Sequence, residues 1–237
     1  MLGMPEPTPY DLRFRFLGVP VRVHPWFWIV TAMLGANNEA DLPTIAIWVA
    51  CVFVSILVHE YGHALMSRAF RCSPAIVLYG MGGLCYSEAE RQSPWQRIAV
   101  LLCGPGAGFL LLGLIFGGWF VAGRPLSNHL VGEILKDMLW INLIWGLVNL
   151  LPIWPLDGGQ ISGVVLSMIN RRRGMTWAYV VSLLTAGTLA VLAFQYHLFF
   201  EGIFFAYFGV NNYQMLQQIH HATKYGDLEE DADWWKR

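Results

Sequence analysis

Charged side chains are scarce in this sequence. Asp, Glu, Lys and Arg together make up 13% of the 237 residues, and 15 basic residues against 16 acidic ones leave a formal net charge of −1. Proteins that bind nucleic acid usually carry a clustered excess of positive charge. The composition therefore gives no reason to expect a nucleic-acid partner.

Two further patterns are missing. The four cysteines, Cys51, Cys72, Cys85 and Cys103, form no C-x-x-C pair, which argues against a disulfide framework and predicts free thiols. The first nine residues contain neither the basic segment nor the apolar core of a secretory leader. We therefore expect the first membrane segment to direct insertion.

Hydrophobic residues, by contrast, dominate the composition. They make up 56% of the chain, and the mean hydropathy of +0.47 is typical of a polytopic membrane protein. Apolar runs of ~20 residues can cross a hydrocarbon core of ~30 Å. The sequence predicts about six spans, at residues 25–36, 43–63, 98–122, 134–151, 177–200 and 202–218. The first is short: it is either a full span, which residues 19–23 would extend, or an interfacial aromatic belt formed by Trp26, Phe27 and Trp28.

The distribution of basic residues predicts the orientation. With the N-terminus in the cytoplasm and six crossings, every basic residue except Arg124 and Lys136 falls on the cytoplasmic side. Short basic loops set membrane orientation, and segments 68–97 and 171–173 are such loops. We predict a multi-pass protein of the cell (inner) membrane. Its divisions are a cytoplasmic segment at 1–24, a membrane domain at 25–219 and an acidic cytoplasmic tail at 220–237.

An H-E-x-x-H motif, His59-Glu60-Tyr61-Gly62-His63, lies at the end of the second apolar run. Histidines four residues apart share one face of a helix, so both rings can reach one metal, and the adjacent glutamate can act on water. Ionisable groups inside a span cost about 2.5–3.5 kcal/mol each on insertion scales and usually mark a functional site. The motif predicts zinc and hydrolysis near the cytoplasmic side. The alternative is a pair of capped histidines at a helix end.

A catalytic zinc needs three protein ligands and one open position, and Asp157 is the candidate third ligand. It follows the fourth apolar run, on the predicted side of His63, in a segment broken by Pro152 and Pro155. A broken helix can present a carboxylate to a metal within a membrane protein. The remaining candidates lie on the opposite side, at a far helix end, in a loop or in the tail: His129, His197, Glu88, Glu90, His220 and His221.

Residues 74–86 read as two short β-type runs around a Gly-rich turn, too short for a crossing. Non-helical backbone at membrane depth must be buried in protein or line a wet cavity. A re-entrant hairpin beside the metal site is therefore one interpretation, and an ordinary cytoplasmic hairpin is the other.

The H-E-Y-G-H pentapeptide and residues 149–159 resemble the two signatures of the site-2 protease family of intramembrane zinc metalloproteases. The second segment is similar to N-x-x-P-x-x-P-L-D-G-G at every defined position. Weaker similarity extends to residues 80–83 and to residues 211–214. One departure is Gly108, where family members often carry Asn in a G-P-x-A-N segment.

The resemblance implies an all-α polytopic fold of about six transmembrane helices with a short re-entrant β-hairpin next to the zinc site. It implies zinc bound by His59, His63 and Asp157, with Glu60 as the general base. The implied reaction is hydrolysis of a peptide bond within or next to a transmembrane helix of a single-span membrane protein, as in regulated intramembrane proteolysis. Asn149 would orient substrate or stabilise an oxyanion. The alternative is an interhelical hydrogen bond in a polar seam with Asn142.

Two competing functions stay open. A non-catalytic zinc-binding membrane protein, acting as a scaffold or partner-binding subunit, would keep the ligands but would not need Glu60. A zinc transporter would need a second polar stripe leading away from the site, which the sequence does not offer. Substrate recognition would rest with the membrane domain, the acidic tail or a regulatory membrane partner.

Overall fold

The computed structural model describes residues 6–36, 41–88, 92–121, 123 and 129–232. The chain divides into two compact units, Met1–Val148 and Asn149–Arg237. The described elements of the first unit are, in order, β1 (Leu12–Phe16), β2 (Val19–Val23), α1 (Pro25–Gly35), α2 (Leu42–Ala69), β3 (Ala75–Tyr79), β4 (Gly82–Tyr86), α3 (Pro94–Val121) and α4 (His129–Asn149). Those of the second unit are α5 (Asp157–Ile169), α6 (Gly174–Gln195) and α7 (Phe199–Ala232).

A four-stranded sheet in the order β1-β2-β3-β4 corrects the all-α expectation: the described chain is mostly helical with a small sheet. The β3–β4 hairpin confirms the two β-type runs predicted at 74–86. Strands β1 and β2 were not predicted, and residues 19–23 form β2 instead of extending a membrane span. Val21 and Val23 of β2 are buried and pair with Ile76 and Leu78 of β3. Their shared apolar face explains why this segment adds to the sheet.

Three helices, α2, α3 and α6, are long and apolar enough to cross a membrane, which agrees with the spans predicted at 43–63, 98–122 and 177–200. At 1.5 Å per residue, 22 to 28 residues extend for about 33 to 42 Å, more than the ~30 Å hydrocarbon core. Leu110 and Leu114 of α3 each leave 65% of their surface exposed. Such outward apolar side chains are what a helix facing lipid carries.

The other three predicted spans are not confirmed. Helix α1 has 11 residues and would extend only about 16 Å, too short to cross the core alone. Helices α4 and α7 are not among the three described helices that combine sufficient length and apolarity. Helix α7 continues through the predicted tail to Ala232, and residues 233–237 lie outside the described part of the chain.

The turn between β1 and β2 is tied to α2. The hydroxyl of Tyr61 donates a hydrogen bond to the Phe16 carbonyl at 2.9 Å, and the two rings meet edge to face. Further along α2, the Arg68 guanidinium donates to the Leu17 carbonyl. The helix that carries the H-E-x-x-H motif therefore also fixes the N-terminal hairpin of the sheet.

In the second unit, Ile153 anchors the irregular segment that precedes α5. Its side chain is fully buried and packs with Ala186 of α6 and Phe208 of α7. The glycines at the start of α5 let this segment approach closely, because a side-chain carbon at Gly158 would collide with the Leu150 carbonyl and one at Gly159 with the Ile153–Trp154 peptide. The segment folds back onto the first turn of α5.

Candidate metal centre

His59 and His63 lie on one face of α2, four residues apart, with 3% and 6% of their surfaces exposed. Their Nε2 atoms are 3.2 Å apart. The Nδ1 atom of His63 is 2.8 Å from the Val100 carbonyl of α3. A carbonyl only accepts hydrogen bonds, so Nδ1 must carry the proton and Nε2 is left with a lone pair for a ligand.

This pair of nitrogens fits a zinc ion. Two imidazole nitrogens bound to one tetrahedral zinc at ~2.0–2.1 Å would lie about 3.3 Å apart, close to the observed separation. The space at His63 is preserved by Gly104 of α3, since a side-chain carbon there would collide with His63 Nε2. Directly before His63 in α2, Gly62 lies against the Cys103 carbonyl of α3 in the same manner. The close approach of α2 and α3 thus depends on glycine at both positions.

Glu60 is 4% exposed and lies against the β3–β4 hairpin. A side-chain carbon added at Gly83 of β4 would stand 2.6 Å from Glu60 Cδ. Glycine is therefore required where the strand passes the carboxylate. Because β4 is the last strand of the described sheet, the carboxylate lies beside a sheet edge.

Asp157 belongs to the second unit and is the first residue of α5. Its side chain is 7% exposed. The sequence suggested a broken stretch around this residue, and the structure shows an irregular segment followed at once by a helix. His59, His63 and Asp157 are all buried, and each offers one atom that can bind a metal.

Asn149 is buried at the last position of α4, and its predicted contact with substrate stays a prediction. Asn142, seven residues earlier, does form an interhelical contact: its Nδ2 donates to Ser55 Oγ of α2 at 2.9 Å. Its Oδ1 would lie 3.5 Å from a side-chain carbon at Gly108. An amide from α4 therefore lies beside Gly108.

Of two buried polar residues in the second unit, the sequence analysis did not single out Ser182 and noted Asn212 only within the weakly similar stretch 211–214. Ser182 of α6 accepts a hydrogen bond from the Trp154 N–H, and Asn212 of α7 donates one to the Trp154 carbonyl. Asn212 could also have been singled out by itself, because an amide within an apolar run is a rare and costly placement. Serine is too common in spanning helices for Ser182 to have been singled out.

These features define a class: a helical membrane protein whose apolar helix carries a histidine pair with an adjacent carboxylate. Two stretches, residues 47–133 and 120–194, match the model of peptidase family M50 and together cover more than half of the chain. The chain belongs to peptidase family M50.

Similarity to individual proteins agrees with this assignment. The chain is 29% identical over 174 residues to a candidate zinc metalloprotease of Synechocystis, and the aligned region covers 67% of this chain and 45% of that protein. It is 30% identical over 151 residues to stage IV sporulation protein FB of Bacillus subtilis, covering 62% of this chain and 48% of the relative. The chain thus spans about half the length of these relatives.

A solved structure shows the same fold. The site-2 protease from Methanocaldococcus jannaschii superposes with a TM-score of 0.60 at 20% sequence identity. The match covers 87% of this chain and 95% of that one. The membrane-protein fold predicted from the two signatures is therefore that of a site-2 protease.

Proposed function

We propose that this protein is an intramembrane zinc metalloprotease that hydrolyses a peptide bond within or next to a transmembrane helix of a single-span membrane protein. The observation that carries the proposal is the arrangement on α2. Two facing Nε2 atoms, 3.2 Å apart, lie one residue from a buried carboxylate in a helix apolar enough to cross a membrane. Family membership and the zinc metalloprotease name of a relative support it.

His59 and His63 would bind the zinc, with Asp157 as the third protein ligand. The chemistry of the set supports this choice, because two imidazoles and one carboxylate form a common ligand set for catalytic zinc and leave a position open. The contact of His63 with Val100 supports it further, since it holds the ring in the tautomer that binds a metal.

Glu60 would carry the proton. Zinc bound here supplies Lewis acidity, which polarises a carbonyl group and acidifies water. The Glu60 carboxylate accepts the proton of the attacking water and delivers it to the departing amine, as a general base and then a general acid. Its burial keeps competing water away from the reacting groups.

Glu60→Gln tests this proposal, because the amide keeps the size of the side chain and removes the base. The variant should retain zinc and lose proteolysis, so uncut single-span proteins should accumulate in its membrane proteome relative to wild type. Glu201→Gln, at the exposed start of α7, controls for loss of one charge. An unchanged proteome with normal zinc content would favour the alternative, a non-catalytic scaffold or partner-binding subunit.

A substrate helix must unwind before water can reach its carbonyls, and β4 offers a place for the unwound segment. An extended chain can add to the edge of a sheet and regain backbone hydrogen bonds. Strand β4 ends the described sheet and passes Glu60 at Gly83. A strand added there would bring its peptide groups beside the carboxylate.

Proline substitutions in β4 can separate this role from folding. Successive N–H groups of a strand point to opposite sides. Of the two adjacent variants Leu84→Pro and Cys85→Pro, one therefore removes a hydrogen bond to β3, and the other removes an N–H donor on the edge that faces away from β3. The edge variant should remain folded, keep zinc and lose cleavage. Normal cleavage by a folded variant of each kind would exclude strand addition. A proline in β3, for example Val77→Pro, could not separate the two roles, because β3 is paired on both sides.

The basic residues near the motif support an active site close to the cytoplasmic side of the cell membrane. Arg68 lies in the last turn of α2, Arg71 lies two residues beyond its end, and Arg97 lies in the first turn of α3. Positive charge of this kind favours the cytoplasmic face. The introduced thiol of Arg71→Cys should react with an impermeant thiol reagent only after the membrane is opened. Labelling of this position in intact cells would show that the orientation is the opposite of the one proposed.

A further inference from the structure

Both backbone polar groups of Trp154 are held by side chains from two different helices. The Trp154 N–H donates to Ser182 Oγ of α6 at 3.0 Å, and its carbonyl accepts from Asn212 Nδ2 of α7 at 2.8 Å. Ser182 is fully buried and Asn212 is 1% exposed. Polar groups at such depth are costly unless they are hydrogen-bonded, and both direct their bonds to one residue of the irregular segment.

The residues that flank Trp154 are hydrogen-bonded to each other and to the first turn of α5, which begins at Asp157. The Leu156 N–H donates to the Ile153 carbonyl at 2.8 Å, and the Gln160 N–H donates to the Leu156 carbonyl at 3.0 Å. The Gln160 side chain also donates to the Pro155 carbonyl at 3.0 Å. A shift of the Trp154 backbone would therefore be passed to the first turn of α5.

Apolar contacts alone do not fix this backbone. The burial of Ile153 holds the segment in the core, but apolar packing is non-directional. Hydrogen bonds are directional and weaken steeply when they are bent. Bonds to the N–H and to the carbonyl of the same residue therefore define how the segment is rotated, and with it where the following carboxylate points.

We infer that Ser182 and Asn212 are positioning residues for Asp157, acting through the backbone of Trp154. The inference rests on the proposed function, in which Asp157 is a zinc ligand. Groups that orient a metal ligand from behind typically change metal affinity 10- to 100-fold when they are replaced. The two helices of the second unit would thus help to set the affinity for zinc without touching it.

Asn211 provides a matched control. Asn211 and Asn212 are adjacent in α7, and each donates to the carbonyl four residues earlier, Tyr207 and Phe208 respectively. Asn211 is partly exposed and donates within α7, whereas Asn212 is buried and also donates to the Trp154 carbonyl. Replacing each with Leu removes the same chemical group, but only one replacement releases the irregular segment.

The test is zinc affinity of the full-length protein, measured by competition with a chelator, together with the visible spectrum of the Co²⁺ form. Asn212→Leu and Ser182→Ala should each bind zinc about 10- to 100-fold more weakly and change the Co²⁺ spectrum. Asn211→Leu should match wild type in both. The double variant should lose less than the product of the single losses, because both residues hold one backbone.

Asp157→Ala separates this inference from the proposed function. If Asp157→Ala keeps wild-type zinc affinity, Asp157 is not a ligand and the proposed ligand set fails. If Asp157→Ala weakens binding while Asn212→Leu and Ser182→Ala keep wild-type affinity and spectrum, the positioning role is overturned, even where those variants unfold at lower temperature. If Asn212→Leu does not fold, the zinc affinity and Co²⁺ spectrum of Ser182→Ala and of Asn212→Asp, which keeps the size of the side chain, test the positioning role instead.

Discussion

The two units present the proposed zinc ligands in different ways. In the first, His59 and His63 lie on one continuous helix, and their position follows from helical spacing plus the close approach of α3 at Gly62 and Gly104. In the second, Asp157 is the first residue of a short helix and follows an irregular segment. The backbone of that segment is hydrogen-bonded by side chains of other helices, such as Ser182. A regular helix supplies geometry through its own hydrogen bonds, whereas an irregular segment must obtain it from neighbours.

The largest effect should come from a ligand of the first unit. His63→Ala removes one of the facing nitrogens, and we expect zinc affinity to fall by at least ~100-fold, since a site of three ligands loses one. His220→Ala, at an exposed position of α7, should leave affinity unchanged. Zinc content after dialysis against a chelator measures both. Retention of zinc by His63→Ala would show that the pair is not the centre of the site.

Gly104→Ala should have the next largest effect, because its methyl group meets His63 Nε2. Overpacking costs about 1–3 kcal/mol, and displacement of the ring should weaken zinc binding as well. Gly113→Ala in the same helix meets nothing within 4 Å and should be neutral. Thermal unfolding in detergent and chelator competition test the pair. Equal behaviour of the two variants would mean that α3 does not shape the site.

Gly159→Ala applies the same test to the second unit. The added carbon collides with the Ile153–Trp154 peptide, so we expect a lower unfolding temperature and weaker zinc binding. The loss of affinity should be smaller than for Gly104→Ala, because the strain reaches Asp157 only through backbone. Gly187→Ala in α6, with open space around it, is the control. A larger loss of affinity than for Gly104→Ala would reverse the ranking of the two units.

The smallest effect, on stability, should come from Asp11 of the first unit, which accepts a hydrogen bond from the Thr8 backbone N–H. Burial alone would raise the pKa of Asp11, but hydrogen bonds from Thr8 and from Arg22 outweigh it and lower the pKa below its usual range. The ionised carboxylate therefore stabilises the fold at neutral pH, and this contribution is lost as the pH falls through the lowered pKa. Asp11→Asn should unfold slightly earlier than wild type at pH 7 and equally in acid. A constant difference at all pH values would contradict this assignment.

What could be predicted from the sequence also differs between the two units. The positions of His59, Glu60 and His63 on one helix follow from their spacing and their apolar context, and α2 confirms the helix. The short helix α5 was missed because Asp157 is followed by two glycines, which normally interrupt helices. Here those glycines admit neighbouring backbone, a tertiary reason that no local pattern contains.

The N-terminal strands were missed for another reason. The segment 12–16 alternates apolar and basic residues with the period of a strand, but Pro20 and the apolar residues beside it made 19–23 read as part of a membrane span. The partners that decide the matter are distant in sequence, because β2 pairs in parallel with β3 across α1 and α2. Parallel pairing of that range leaves no local signal.

The two edges of the described sheet are not equivalent. Strand β1 carries Arg13 and Arg15 at alternate positions, and charged side chains on an edge discourage other chains from pairing with it. Strand β4 consists of Gly82, Gly83, Leu84, Cys85 and Tyr86 and has no charge at all. Charges therefore protect the β1 edge of the sheet from pairing with other chains, whereas the β4 edge, beside Glu60, has no such protection.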